Sequence, residues 1–277
     1  MFNTRLFLLV VACLVFASVK AQTKKQNLSV DLGASFPFGK YADKEIKNNA
    51  SGFAAIGGVS TIAYRYQIKQ KFGFAVSLLG QFNPMSRKKM ETEFSSKPIS
   101  SQILFFTSDP GQLPPPPATG NGIVYPNWKF DTKSWFTGSV MFGVFGNFSF
   151  KQSKQLSFQP RLMVGPGFVL SPAIKGSSKT DTSAASFTQT KAKSFAVVGE
   201  VGIGINYDLN SRYFLRADLD VLTTNELRLK TITATLTTGH GRSFSDPGYS
   251  ISSSTISGIG RQTVGTVNAG LGLGIRF

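Results

Sequence analysis

The closing stretch of the chain, Gln262 to Phe277, constrains the fold most. In an extended conformation Val267, Ala269, Leu271, Leu273, Ile275 and Phe277 fall on one side, and Asn268, Gly270, Gly272, Gly274 and Arg276 fall on the other. A two-residue period held to the last residue predicts a strand with one apolar face and one polar or small face.

Seven earlier segments repeat the pattern. They are residues 28–38, 52–68, 72–83, 134–150, 156–170, 194–209 and 213–222. In the first, Leu28, Val30, Leu32, Ala34 and Phe36 oppose Ser29, Asp31, Gly33 and Ser35. In the seventh, Tyr213, Leu215, Ala217, Leu219 and Val221 oppose Arg216, Asp218 and Asp220. Connections alternate long and short, the short ones centred on Gln70, Ser153 and Ser211. Eight such segments predict an all-β chain: an eight-stranded antiparallel up-and-down transmembrane β-barrel with long extracellular loops and short periplasmic turns. An even strand count would leave both termini periplasmic. A soluble β-sandwich also alternates, but these segments exceed the roughly five or six residues of ordinary strands.

Aromatic residues suggest two interfacial girdles. Trp128 and Trp135 would lie near the outer end, and Tyr66, Phe72, Phe150, Phe158, Tyr207, Tyr213 and Phe277 near the turns. Pro160 and Pro166 fall inside the fifth segment and cannot donate to a ladder. A bulge, or the end of regular pairing, is expected at Gly165-Pro166-Gly167.

Residues 1–21 have a different character. Arg5, an apolar run from Leu6 to Ala17, and Val19-Lys20-Ala21 read as a cleaved signal peptide, leaving residues 22–277 as one barrel domain. Val10-Val11-Ala12-Cys13 offers a rival reading in which Cys13 is lipidated. Cys13 is the single cysteine, so ordinary cleavage would leave no disulfide or thiolate site. The formal charge of +16 would fall to +14 with loss of Arg5 and Lys20. The remaining lysines fall in the leader and the expected turns and loops, without a nucleic-acid motif.

Phe36-Pro37-Phe38-Gly39, Gly52-Phe53-Ala54, Asn83-Pro84-Met85 and the terminal Arg276-Phe277 make the chain resemble the outer-membrane β-barrel domain family. These are small barrels of the kind that includes the OmpA transmembrane domain and OmpX. The resemblance implies the fold and the outer membrane with its lipid, but no single activity. It also implies that Gly272, Ile275 and Phe277 form an assembly signal read by the barrel assembly machinery. The polar residue usual two positions before that glycine is here Gly270. Separately, the basic residues of the expected outer loops, Arg87, Lys88, Lys89, Lys97, Lys175, Lys179, Lys191, Lys193, Arg228, Lys230 and Arg242, would suit lipopolysaccharide phosphates or an acidic partner, or simply be solvated.

Inward-facing charges are the candidate site. Arg65, Arg161, Arg216 and Arg276 stand against Asp31, Glu200, Asp208, Asp218 and Asp220. An Arg65–Asp31–Arg276 cluster is expected at the periplasmic level, with Arg161, Glu200, Arg216, Asp218 and Asp220 forming a second group. A near-neutral set favours a lumen closed by charge pairs, since a selective pore tends to carry an excess of one sign. A small-solute channel would need a wet path past Arg161 and Asp220. His240 with Ser243 and Asp246 offers only a thin case for a lipid acyl-chain enzyme, because a nucleophile and its base need fixed geometry. With one histidine, no transition-metal site or cofactor is expected. The expected function is a non-enzymatic structural or surface-interaction role through long basic loops.

Overall fold

The computed structural model describes residues 25–45, 51–69, 71–96, 125–150, 153–180, 183–240 and 250–277. The expected signal peptide with Cys13, and Ser243 and Asp246, lie outside these residues. His240 ends a strand.

Period-two alternation becomes a two-faced wall. In β3 (Phe72–Asn83), Phe72, Phe74, Val76, Leu78 and Phe82 are exposed, while Ala75, Ser77, Leu79, Gln81 and Asn83 are buried. The same wall includes β1 (Gln26–Pro37), β2 (Gly57–Lys69), β5 (Trp135–Gly146) with its continuation β6 (Phe148–Phe150), and β7 (Ser153–Leu170). It is completed by β10 (Lys193–Asp208), β11 (Tyr213–Thr224) and β14 (Gly265–Arg276). Neighbours pair in the order β10-β11-β14-β1-β2-β3-β5-β7, and β7 pairs back to β10. The ring therefore closes with eight strands, and the terminal strands seal it from Asn27↔Arg276 to Pro37↔Thr266. Closure leaves no free edge. Around the outside runs a belt of exposed apolar side chains, Leu32, Phe142, Val164, Val201 and Leu271 among them. At the turn end, the Asn210 side chain accepts from the backbone N–H groups of Arg212 (2.8 Å) and Tyr213 (2.9 Å), fixing the reversal between β10 and β11.

The prolines are absorbed without a bulge. β7 pairs with β10 in one unbroken register from Leu156↔Tyr207 to Leu170↔Lys193, through both Pro160 and Pro166. On the other side the register with β5 is also constant, but the ladder lapses between Ser139↔Gly167 and Phe142↔Val164, opposite Pro166. It lapses again between Phe145↔Arg161 and Phe148↔Phe158, opposite Pro160. In an antiparallel strand, alternate residues direct their N–H groups to alternate neighbours. Both prolines have even numbers, so both missing donors fall on the same side.

Beyond the barrel stands a second sheet that the sequence reading assigned to loops. β4 (Lys129–Thr132), β8 (Ile174–Lys179), β9 (Ser183–Gln189), β12 (Leu227–His240) and β13 (Ser250–Gln262) pair in the order β13-β12-β9-β8-β4. Helix α1 (Arg87–Ser96) buries Met90 and Phe94 beneath this sheet. Phe94 packs edge-on against Trp128 (5.5 Å) and Phe130 (4.8 Å). Trp128 and Trp135 are 1% and 3% exposed, so neither belongs to an interfacial girdle; both lie in a core. At the turn end Tyr66, Phe72, Phe150, Tyr207 and Tyr213 are exposed. The second segment also starts later than expected, at Gly57, and residues 52–54 turn inward instead.

If the apolar belt faces lipid, a cation at its middle should cost about 2–4 kcal/mol. Val201→Arg, near the middle of β10, should lower the unfolding free energy of the refolded barrel in lipid vesicles by that amount in a urea titration. An unchanged midpoint would contradict the lipid-facing assignment.

Candidate functional site

Strand register stacks the inward side chains in rows. Arg161, Gly202, Asp220 and Asn268 form one row across β7, β10, β11 and β14. Gln159, Gly204, Asp218 and Gly270 form the next, followed by Ser157, Asn206, Arg216, Gly272 and Asp31. Each charged row thus contains a glycine beside its charges, and the long side chains lie over it. A Cβ on Gly202 would meet the Asp220 carboxylate, one on Gly204 the Arg216 guanidinium, and one on Gly272 the Asp31 carboxylate.

Arg161 is the hub. Its Nε donates to Glu200 Oε1 at 2.9 Å, its Nη1 to Asp218 Oδ1, and its Nη2 meets the Asp220 carboxylate at 2.5 Å. Arg216, with a fully buried side chain, donates through Nε to Asp218 Oδ2 (2.7 Å) and through Nη1 to Gln159 Oε1 (2.7 Å) and Asn206 Oδ1 (3.0 Å). Two guanidinium groups therefore share Asp218. Multidentate pairing of this kind compensates charges removed from water.

The other expected cluster does not assemble as a unit. Arg65 and Arg276 both stand opposite Asn27, whereas Asp31 lies four residues further along β1. Barrel strands are staggered as well as antiparallel, so residues near equivalent strand ends need not share a level. Arg65 Nη1 donates to Ser29 Oγ (2.9 Å), which donates to Asp31 Oδ2 (3.0 Å), so the hydroxyl bridges the two. Arg276 instead reaches Asp208 at 2.5 Å and lies over the Phe214 ring at 4.9 Å. That pair is partly exposed at the terminal end of the lumen.

Above the charges lies a neutral layer built on inward-facing Gln81, Asn83 and Asn268. Gln81 Oε1 accepts from Thr266 Oγ1 and Asn268 Nδ2, each at 3.2 Å, and Gln81 Nε2 donates to Asn83 Oδ1 at 2.9 Å. Asn83 Oδ1 also accepts from the Tyr41 hydroxyl at 3.3 Å. Burial pushes the Tyr41 hydroxyl pKa upward, keeping it a donor. Tyr41 stands edge-on to Trp135 at 5.6 Å, and Trp135 Nε1 donates to Gly52 O at 2.9 Å. Phe53, completely buried at a φ of 50°, completes the cover. Of the covering residues, Tyr41 falls in the connection between the first two expected segments, Phe53 inside the second and Trp135 inside the fourth, where the pattern assigns it to a girdle.

Between the layers is a cavity of about 20 Å³ bounded by Asp31, Arg161, Asp218, Asp220 and Asn268. It has room for about one water molecule. Among the described residues, no group of three or more His, Cys, Asp or Glu side chains is disposed to hold a metal ion. Gly272 and Ile275 lie on β14, with Phe277 directly after it; Phe277 N donates to Gln26 O at 3.0 Å, tying the chain end to the start of β1.

The chain is a closed eight-stranded antiparallel barrel with an apolar outside and a charged, hydrogen-bonded inside. No protein-family model and no curated protein sequence matches it. Solved structures similar to it include a major outer membrane protein from Thermus thermophilus, at 15% identity and a TM-score of 0.42 over 91% of this chain and 99% of that one. Neisserial surface protein A is similar at 11% identity and a TM-score of 0.39, covering 93% and 100%. Ail, the attachment invasion locus protein of Yersinia pestis, is similar at 10% identity and a TM-score of 0.37, covering 91% and 99%. At such identities and scores the strand pairing described above, and not the likeness, defines the fold.

Removing the hub should leave Glu200, Asp218 and Asp220 without their shared cation. Arg161→Met should cost about 3–5 kcal/mol of unfolding free energy, part of which Asp220→Asn should restore in the double variant. Gly204→Ala should also destabilise, because the Arg216 guanidinium in its way is held by three side chains. Gly199→Ala, where a Cβ meets nothing within 4 Å, should be tolerated. Equal stability of the two glycine variants would contradict the packing described.

Proposed function

We propose that the protein is an integral outer-membrane barrel, with periplasmic termini, that acts from its outer surface as a structural or surface-interaction protein. The observation that carries this reading is the obstruction of its lumen. Arg161 and Arg216 span the interior with their carboxylates, and Tyr41, Phe53 and Trp135 cover the end opposite the termini. A cavity with room for about one water leaves little space for a solute. A conducting path would require both the charged layer and that cover to rearrange. A catalytic role has less support, since Glu200, Asp218 and Asp220 are engaged with arginines, and the Ser29 hydroxyl that donates to Asp31 is itself held by Arg65.

The apolar belt supports the membrane reading, and the second sheet supplies the surface on which an outer partner would act. In this reading the surrounding partners are outer-membrane lipid and lipopolysaccharide, and Gly272, Ile275 and Phe277 present the assembly signal to the barrel assembly machinery. Gly272 would then serve two purposes, because it also admits the Asp31 carboxylate.

The discriminating test is conductance of the refolded protein in a planar bilayer, after a shift on unboiled gels has established folding. Wild-type protein should be silent. Steady openings that change when Arg161 or Asp220 is neutralised would overturn the closed-lumen reading in favour of a small-solute channel.

A further inference from the structure

The β7–β10 hairpin does not stop at the barrel. Its register continues without a shift through Ile174↔Gln189 to Lys179↔Ala184, so β8 and β9 extend β7 and β10 into the second sheet. Burial changes phase across residues 171–173, between the two ladders. Below them Arg161, Met163 and Val169 are buried; above them Ile174, Gly176 and Ser178 are buried, while Lys175, Ser177 and Lys179 are exposed. The exposed face of the second sheet therefore points away from the aromatic core, as the apolar belt below points away from the lumen.

At the junction, Lys193 Nζ lies 5.1 Å from the Phe168 ring centre and 5.0 Å from that of Phe195. Phe195 is 78% exposed on the barrel wall. An ammonium group between lipid-facing rings is suited to the boundary between acyl chains and anionic headgroups. Lys191 is exposed just above it, and Lys175 and Lys179 continue along β8. Asp131, opposite Lys175, is the acid that this stripe meets on β4.

Beside the lysines runs a row of small hydroxyl side chains, one per strand: Ser177, Ser186, Thr237 and Ser253. Thr237 and Ser253 lie within hydrogen-bond distance, 3.2 Å. Neighbouring strands repeat at about 4.8 Å, a step close to the length of a sugar ring. The hydroxyl row itself carries none of the aromatic and arginine side chains that anchor protein interfaces; the exposed Arg228 and Arg261 of β12 and β13 pair opposite each other outside it.

We propose that this face docks the anionic saccharide of a glycolipid anchored in the surrounding outer leaflet. Its phosphate meets Lys193 at the rim, and its sugars rise over Lys175 and the hydroxyl row. The inference rests on the membrane reading above, and it goes further in assigning the site and the parts of the glycolipid its residues hold.

The test uses the full mature chain refolded in phosphatidylcholine vesicles, with purified lipopolysaccharide as probe. Lys175→Ser and Lys193→Ser should each weaken binding by about fivefold, the effect of roughly 1 kcal/mol per surface lysine. Ser177→Val with Ser186→Val should weaken binding of the intact glycolipid but not of a form truncated to its phosphorylated lipid anchor. Unchanged affinity in the lysine variants, or equal loss with both ligand forms in the hydroxyl variant, would overturn the proposal while leaving the membrane reading intact. Failure of the wild-type chain to insert into vesicles would overturn both.

Discussion

A guanidinium enclosed by a barrel has little water to turn to, and the interior of this protein is arranged around that constraint. Arg161 and Arg216 are nearly or completely buried, and each buried cation must be matched by carboxylates and amide oxygens close enough to offset its desolvation. The match depends on positions far apart in sequence. β7 supplies Arg161 and Gln159, β10 supplies Glu200 and Asn206, and β11 supplies Arg216, Asp218 and Asp220. Only closure of the ring brings these strands into one register. The ion-pair network and the barrel are therefore mutually dependent: losing the register unpairs the charges, and losing the charges leaves polar gaps across three strands.

Glycine makes the arrangement fit. An eight-stranded barrel is narrow enough for side chains to fill it, and side chains as long as arginine would collide if every neighbour carried a Cβ. Gly202, Gly204 and Gly272 open lanes beside the charged residues of their rows. These three glycines thus belong to the same physical problem as the buried charge, not to flexibility.

The barrel was readable because its signal is local. Alternation between apolar and polar residues recurs within each strand, and β3, β10 and β11 follow it nearly residue by residue. The Arg161 group was legible because its members face inward on consecutive strands. The Arg65–Asp31–Arg276 grouping failed because stagger is a property of the ring, not of any one strand; Arg276 went to Asp208 and Arg65 reached Asp31 through Ser29. The second sheet was missed for another reason. Its strands are rich in Ser, Thr, Gly and Lys, a composition shared with loops, and the buried apolar side chains of β8 and β9, Ile174, Ala185 and Phe187, are too sparse to make a convincing stripe. The two tryptophans misled in the same region, since an aromatic near a membrane boundary and an aromatic in a small core look alike in one sequence.

Closure of the lumen to solvent is tested most directly by thiol accessibility. A cysteine in place of Ser77, which is 2% exposed midway along β3, should react with a water-soluble maleimide far more slowly than one in place of exposed Ser186 on the second sheet. Comparable rates at the two positions in the folded protein would contradict the closed interior and, with it, the role given to the arginine network.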